Sequence, residues 1–237
     1  MRAALCMYGK IGGMLGKDGA GKTIDFVKCY LSIQEHIIDV NKCDVFMHCW
    51  NPEHRDTLLK TYRPKKHIIE SQIPFNTTLK SPKDRRDEFI CKSRWYSHKK
   101  TLGLKREYEK ENGFVYDWVM LCRYDLLFFV DFNFAELEPD IFYASHFNDW
   151  GFKGRSPNRE NHSIKTRRYL DMWFIGSSAF MDRFANIYDV IYKYGVTDPH
   201  RASWDYIESF AGDPMKITKF KFFRWYDYEL IRNRHGA

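Results

Sequence analysis

No stretch of this chain stays apolar for the roughly 20 residues that a membrane-spanning helix needs, and no long apolar core follows Arg2. A helical membrane protein and a cleaved leader are therefore not expected. The 6 cysteines (Cys6, Cys29, Cys43, Cys49, Cys91 and Cys122) contain no Cys-x-x-Cys spacing. That removes a zinc knuckle, and several of these thiols fall inside apolar runs where cysteine acts as a small hydrophobe, as in a reducing compartment. There is no internal repeat and no low-complexity tract, so a solenoid is excluded. A soluble cytoplasmic protein with no membrane span is the expectation.

What remains is a sequence of 237 residues, a length suited to one domain with a single large core. At 44% hydrophobic and 17% aromatic it is too apolar to be disordered. Its formal charge of +7 favours an anionic ligand, but the basic residues are spread along the chain and no RNA-recognition signature accompanies them. A phosphate-bearing small molecule suits this pattern better than nucleic acid.

The most informative stretch is Tyr116 to Phe129. Trp118, Val119, Met120, Leu121 and Cys122 form a short apolar run, the mark of a strand buried on both faces of a parallel sheet. Arg123 and Asp125 follow at once. They fall at the carboxyl end of the strand, where open α/β sheets hold their ligands.

Ala3 to Tyr8 reads as a first buried strand, running into a segment that carries Gly9, Gly12, Gly13, Gly16, Gly19 and Gly21. Gly16 to Thr23 matches the phosphate-binding loop of nucleoside-triphosphate enzymes, with Lys22 at the lysine position. In such a loop the strand feeds directly into the first glycine; here Gly9 to Leu15 intervene. A phosphate loop and a plain glycine-rich loop both stay open, with a helix predicted over Thr23 to Asp39.

Cys43 to Trp50 predicts a second strand, in which His48 is a phosphate or metal ligand or, more simply, a core residue. His67 to Glu70 predicts a third, before a polar loop with Pro74 and Pro82 expected to be mobile and exposed. Asp84 to Asn112 is the longest helical pattern, stopped by Gly113, and Ser93, Arg94, Ser97 and His98 near its start face either a ligand or solvent. Further on, the pattern predicts a strand over Ile141 to Ser145 and a polar loop over His146 to Arg168 suited to a lid. A strand over Tyr169 to Ile175 follows, then a helix over Ala179 to Tyr194 capped by Ser178, a helix over Pro199 to Gly212, and a basic amphipathic strand over Lys216 to Tyr228. Asp171 interrupts an apolar strand, which is costly unless it is used, paired, or turned to solvent on a sheet edge. Short strands alternating with helices argue for a parallel α/β sheet.

Taken in order, Tyr8-Gly9, Asp44 to His48, Ser93 to Ser97 with Tyr108-Glu109, Tyr116 to Met120 with Arg123-Tyr124-Asp125, and Asp171 to Ser177 resemble a family of small predicted glycosyltransferases of bacteria, phages and large viruses. The resemblance covers about residue 3 to about residue 185. It implies a GT-A-like fold, a mostly parallel central sheet flanked by helices in one domain over 1–237, with a nucleotide-binding half to about residue 130 and an acceptor-side half beyond. It also implies a nucleotide-diphospho-sugar donor, and a divalent cation, Mn2+ or Mg2+, beside an Asp-x-Asp element. Arg123-Tyr124-Asp125 stands in that element's place with an arginine for its first carboxylate. On this reading Asp125 is the metal ligand, and Tyr8, Gly9, Lys22, Ser93, Ser97 and Arg123 contact the donor. Asp171, then Asp205 or Glu208, is the base at the acceptor. The acceptor, whether glycan, lipid or protein, is left open, and the location is the cytoplasm, a host's if a phage or virus encodes the chain. The rivals are a phosphate-loop enzyme and a nucleic-acid-binding module.

Overall fold

The structure is a computed structural model that describes residues 1–12, 23–146, 160–224 and 226–231, with backbone alone for 160–162. The chain runs from β1 (Ala3–Gly9) to α1 (Phe26–Ile33), a π-helical turn (Gln34–Ile38) and α2 (Asp39–Asn41). β2 (Asp44–Cys49), α3 (Arg55–Tyr62), β3 (Lys66–Ile69), the long α4 (Pro82–Asn112), β4 (Trp118–Arg123) and the short β5 (Leu126–Phe128) follow. The second half holds β6 (Phe142–Ser145), α5 (Glu160–Thr166), β7 (Leu170–Gly176), α6 (Ser178–Phe184), α7 (Ile187–Tyr194), α8 (Pro199–Ala211), α9 (Pro214–Ile217), β8 (Thr218–Phe220) and β9 (Tyr228–Leu230).

The main sheet has seven strands in the order β3-β2-β1-β4-β7-β6-β8, and β5 pairs with β9 in a separate two-stranded ribbon. β1 to β4 all run parallel; β7 alone is reversed, antiparallel to both β4 and β6. This is the mostly parallel α/β sheet flanked by helices that the strand and helix pattern predicts. From β1 the chain winds outward through β2 and β3, then returns to place β4 on the other side of β1. The order reverses there, so the crevice above β1 and β4 is the topological switch point where such sheets bind ligands.

The alternation of strand side chains sorts the core into two layers. Leu5, Met7, Val45, Met47, Met120 and Cys122 pack with Phe26, Ile33 and Leu58 of α1 and α3. Ala4, Cys6, Tyr8, Phe46, Val119 and Leu121 face the other way, toward Cys91, Trp95 and Leu102 of α4 and toward α6 to α8. Helix α4 begins where Ser81 accepts a hydrogen bond from the Asp84 amide at 3.0 Å, and it ends at Gly113, whose φ of 66° suits a residue without Cβ. Among the described residues no helix is long and apolar enough to cross a membrane.

The structure corrects several local expectations. Helix α1 starts at Phe26 with Asp25 as its cap rather than at Thr23, and its last turns widen to a π turn where the His36 carbonyl accepts the Phe132 amide at 2.9 Å. The loop over 70–81 is held rather than loose. Buried Glu88 accepts the amides of Thr78 and Leu79 at 2.8 and 3.1 Å, Lys92 donates to the Asn76 carbonyl, and Ser93 donates to Gln72 at 3.1 Å. Burial pushes the Glu88 carboxyl up, but bonds from Lys92 and the two amides outweigh it and bring it down to about 2. Of the predicted lid, residues 147–159 lie outside the described residues, and 160–166 are helical rather than loop.

The helix predicted over 179–194 is two helices. It breaks where the Asn186 amide bonds the Arg183 carbonyl in a tightened turn, and Ser177, not Ser178, caps α6. Lys216 to Tyr228 is not one strand; it holds the end of α9, the three-residue β8 and the start of β9.

Candidate functional site

Period-two alternation and the switch point bring chemistry to one place. Tyr8, His48 and Arg123 end three adjacent parallel strands on the face that α4 covers, with Tyr8 in register with both His48 and Arg123. Ser93, Arg94, Ser97 and His98 recur at helical spacing on α4, which turns them toward the same face. Because β7 runs backward, its first residues, Leu170 and Asp171, lie at this edge as well.

Two arginine-carboxylate pairs stand here. Arg123 grips Asp125 with two nitrogens, Nε at 2.7 Å from Oδ1 and one terminal nitrogen on Oδ2. Arg94 forms an ion pair with Asp171, which is 2% exposed, and Nδ1 of His200 lies 3.6 Å from the other Asp171 oxygen. Tyr8 links the two pairs, since it is the register partner of Arg123 and its hydroxyl donates to the Asp171 carbonyl at 3.0 Å. Burial pushes the Tyr8 hydroxyl far up against the pull of Arg123 and Arg94. His98, edge-on to the Tyr8 ring at 3.9 Å, is held well below its ordinary range, first by burial and then by the same two arginines. It is neutral, and neither ring nitrogen has a hydrogen-bond partner among the described residues. The ribbon of β5 and β9 steadies the loop after β4, where the Ile231 amide donates to the Asp125 carbonyl at 2.8 Å.

The glycine that ends β1 is fixed by a relay. Gly9, at φ 106°, donates its amide to Ser97 Oγ at 3.0 Å, and Ser97 Oγ lies 2.6 Å from His48 Nδ1. His48 Nε2 lies 3.0 Å from Glu70. A carboxylate only accepts, so Nε2 carries the proton and Ser97 donates to Nδ1. Burial lowers His48 to about 4 against the opposing pull of Glu70, which keeps this tautomer neutral. The expectation that His48 is a satisfied core residue holds. Past Gly9, Asn51 Oδ1 accepts the amides of Ile11 and Gly12 at 2.9 and 3.3 Å, and a Cβ on Gly12 would stand 2.9 Å from the Asn51 side chain. Gly12 bridges to Thr23 in antiparallel fashion.

Of the candidate residues, Tyr8, Gly9, Ser97, Arg123, Asp125 and Asp171 thus share one sheet edge. Ser93 is on the same helix, bound to Gln72. Lys22 lies outside the described residues. Asp171 is on an interior strand of the sheet, so its solvent-facing alternative is wrong: it is buried and paired. Asp205 and Glu208 lie along α8 beyond His200, where Arg167 pairs with both and Arg201 Nε sits 2.8 Å from Asp205. His200 is the residue that the sequence pattern did not single out, and Arg94, expected to face a ligand or solvent, pairs with Asp171. Arg94 lies between the two chosen serines, and His200 sits in the first turn of α8 with Nδ1 donating to the Tyr169 carbonyl at 2.8 Å.

Both Asp125 oxygens are engaged by Arg123, and among the described residues no group of three or more His, Cys, Asp or Glu side chains is placed to hold a metal. A scan against protein-family models finds no match for this chain, and neither does a sequence search of curated proteins. The glycosyltransferase resemblance therefore rests on the chain's own residues.

Proposed function

We propose that the protein is a glycosyltransferase that moves a sugar from a nucleoside diphosphate donor to an acceptor hydroxyl. The observation that carries this reading is the convergence of Arg123 and Asp125 with Arg94, Tyr8 and the Gly9 amide turn at the switch point of a mostly parallel sheet. A crevice of that kind suits a nucleotide, and a basic edge suits its diphosphate.

In the reaction the bond between the sugar's anomeric carbon and the β-phosphate oxygen breaks, and its electron pair stays on that oxygen. A bond forms from the anomeric carbon to the acceptor oxygen, whose proton leaves to a base. Negative charge thus builds on the departing diphosphate, where fixed guanidinium groups lower the barrier most. Asp171, buried and held by Arg94, is placed to orient that arginine. Asp205 and Glu208 both pair with Arg167, and Asp205 also with Arg201.

The geometry at Thr23 speaks against the phosphate-loop reading. In that motif the lysine and threonine open the helix whose N-terminus holds the phosphate. Here Thr23 sits in a bridge to Gly12, and α1 begins three residues later under the Asp25 cap.

The test is a thermal-shift screen of the purified protein against UDP, GDP, CDP and ATP, followed by assay of the matching sugar nucleotides for release of free sugar. A ligand that binds only the folded state stabilises it by about 2.7 kcal/mol at a hundredfold excess over Kd, well within detection. Stabilisation by one nucleoside diphosphate, with slow hydrolysis of its sugar conjugate, is expected. Stabilisation by ATP alone, abolished in Lys22→Ala, would replace this reading with the phosphate-loop one.

A further inference from the structure

Basic residues occur throughout the chain, but their excess over acids is concentrated. Residues 80–100 hold eight lysines and arginines against three acids, which is five of the net seven positive charges. That stretch is the entry to α4 and its first half. Lys80, Lys83, Arg85 and Arg86 are exposed there, and Lys100 is half-exposed. Among the described residues Lys80, Arg85, Arg86 and Lys100 join no ion pair, whereas Lys83 reaches Asp87 at 3.9 Å and Lys99 is held by Asp189. A solvated helix face accounts for such charge, but not for the rings set into it. Arg86, Phe89, Ser93, Tyr96 and Lys100 recur at intervals of three and four residues, one stripe along α4. Half-exposed Tyr96 lies between Phe75 of the pinned loop, at 5.6 Å, and Tyr188 of α7, at 5.5 Å. Phe75 also meets Phe89 at 5.7 Å, and the Lys100 ammonium stands 5.0 Å over the Tyr96 ring. We infer that this face of α4 binds an anionic glycan, one bearing carboxylate or phosphate groups, and that this glycan is the acceptor. This rests on the sugar-transfer reading and deepens it by naming the acceptor class.

The chemistry suits that partner. A pyranose ring presents a face of C–H groups that packs on aromatic rings, while guanidinium and ammonium groups beside it pair with carboxylates or phosphates. The excess charge draws an anionic chain from a distance and does nothing for a neutral one. The place suits an acceptor. α4 crosses from the carboxyl end of β3 to the amino end of β4, so its first half lies at the sheet edge that the donor reading assigns to the diphosphate. Ser97, the residue after Tyr96, bonds the Gly9 amide at that edge, and Trp50, directly after β2, stacks on Tyr96 at 5.3 Å. A glycan held along the stripe is therefore beside the crevice. Single-stranded nucleic acid is the other polymer of this charge, and it stacks its bases on open ring faces. Here the rings meet edge to face, at 67° to 76°, and Trp50 covers one face of Tyr96, an arrangement that favours the glycan.

The experiment is calorimetric titration of the full chain with oligogalacturonate, phosphomannan, a neutral dextrin, oligo-dT and phosphatidylglycerol vesicles, at low and at high salt. It is repeated on Arg85→Glu/Arg86→Glu, on Lys100→Glu, and on Arg106→Glu/Lys110→Glu, which makes the same charge change on exposed residues toward the other end of α4. All the altered positions lie at the surface, so the variants keep the fold. One acidic glycan is expected to bind in preference to the dextrin, oligo-dT and vesicles, and more weakly at high salt. Its affinity should fall about tenfold or more in Arg85→Glu/Arg86→Glu, by less in Lys100→Glu, and little in Arg106→Glu/Lys110→Glu. Equal loss in the two double variants would reduce the effect to net charge and overturn the inference. Tighter binding of oligo-dT or of the vesicles, or no binding of either acidic glycan, would overturn it as well. The nucleoside diphosphate screen on the same proteins separates this inference from the reading beneath it. If a diphosphate stabilises the wild type while no acidic glycan binds, only the inference falls; if no diphosphate stabilises it, the sugar-transfer reading falls and takes the acceptor role with it.

Discussion

The two halves of helix α4 carry buried charge in opposite ways. Toward its C-terminus, Lys105 is wholly buried with Glu109 at 2.9 Å, Asp182 at 2.9 Å and the Ser178 hydroxyl around its ammonium. Glu109 in turn accepts the Tyr116 amide at 2.8 Å and the Ser178 hydroxyl at 2.7 Å. That network closes on itself: it ties α4, the entry to β4 and the start of α6 together. Toward its N-terminus, Arg94 shares an edge with Arg123, the two paired with Asp171 and Asp125, beside a histidine whose ring nitrogens have no hydrogen-bond partner among the described residues. Buried polar groups cost least when every member is satisfied, so the first cluster is built for stability and the second keeps its charge at the rim of a crevice.

The comparison is broken most severely at Lys105. Lys105→Met leaves buried Glu109 and part-buried Asp182 without the ammonium they share and should cost about 3–5 kcal/mol in urea denaturation, against little for a lysine on the surface. Arg123→Gln should cost less, about 1–3 kcal/mol, because among the described residues it breaks an ion pair with one carboxylate, Asp125, rather than two, yet it should weaken diphosphate binding, which no change at Lys105 does directly. A Lys105 variant that folds but binds no diphosphate would erase the distinction between the two clusters.

The pH dependence sharpens it further. Burial lowers His48, His146 and His200 to about 4, and His98 well below its ordinary value. Each is neutral when folded and takes a proton at about 6.5 when unfolded, so stability is full above about pH 6.5 and falls as pH drops toward 4. The Glu88 carboxyl, at about 2, adds a second loss as pH falls from about 4.5 to 2. Melting curves from pH 8 to pH 3 should show Tm declining through both windows, and His98→Leu should flatten the first. A Tm independent of pH between 7 and 4 would contradict the burial of these rings.

How much of this was legible in the sequence follows from the same physics. β1, β2 and β4 announce themselves as short apolar runs because strands buried on both faces have no polar side to show. Arg123, Asp125 and Asp171 stand out as charges interrupting such runs. Periodicity says nothing of direction, so the reversal of β7, which brings Asp171 to the crevice, could not be read. Nor could the three-residue β5 and β9, too short for a pattern, or the pinned loop over 70–81, whose anchors Glu88 and Lys92 look like an ordinary solvent-facing pair one turn apart. Arg94 was visible as one of four polar residues facing a ligand or solvent, but only the fold supplies Asp171 as its partner.

The smallest effect belongs to α8. Asp205→Asn loosens partly exposed pairs with Arg167 and Arg201 and should change stability by no more than about 1 kcal/mol. Diphosphate binding should be unaltered, while the rate of sugar transfer tests whether Asp205 takes any part in the chemistry.

The central claim is that the crevice above β1 and β4 is where a nucleoside diphosphate binds. Hydrogen–deuterium exchange of the whole protein, with and without the nucleoside diphosphate that stabilises it most, tests that claim directly. The account predicts slowed exchange at the amides that follow β1, from Gly9 to Gly12, and at those that follow β4, from Tyr124 to Leu126. Protection confined to the opposite edge of the sheet, or to the helices away from α4, would contradict it.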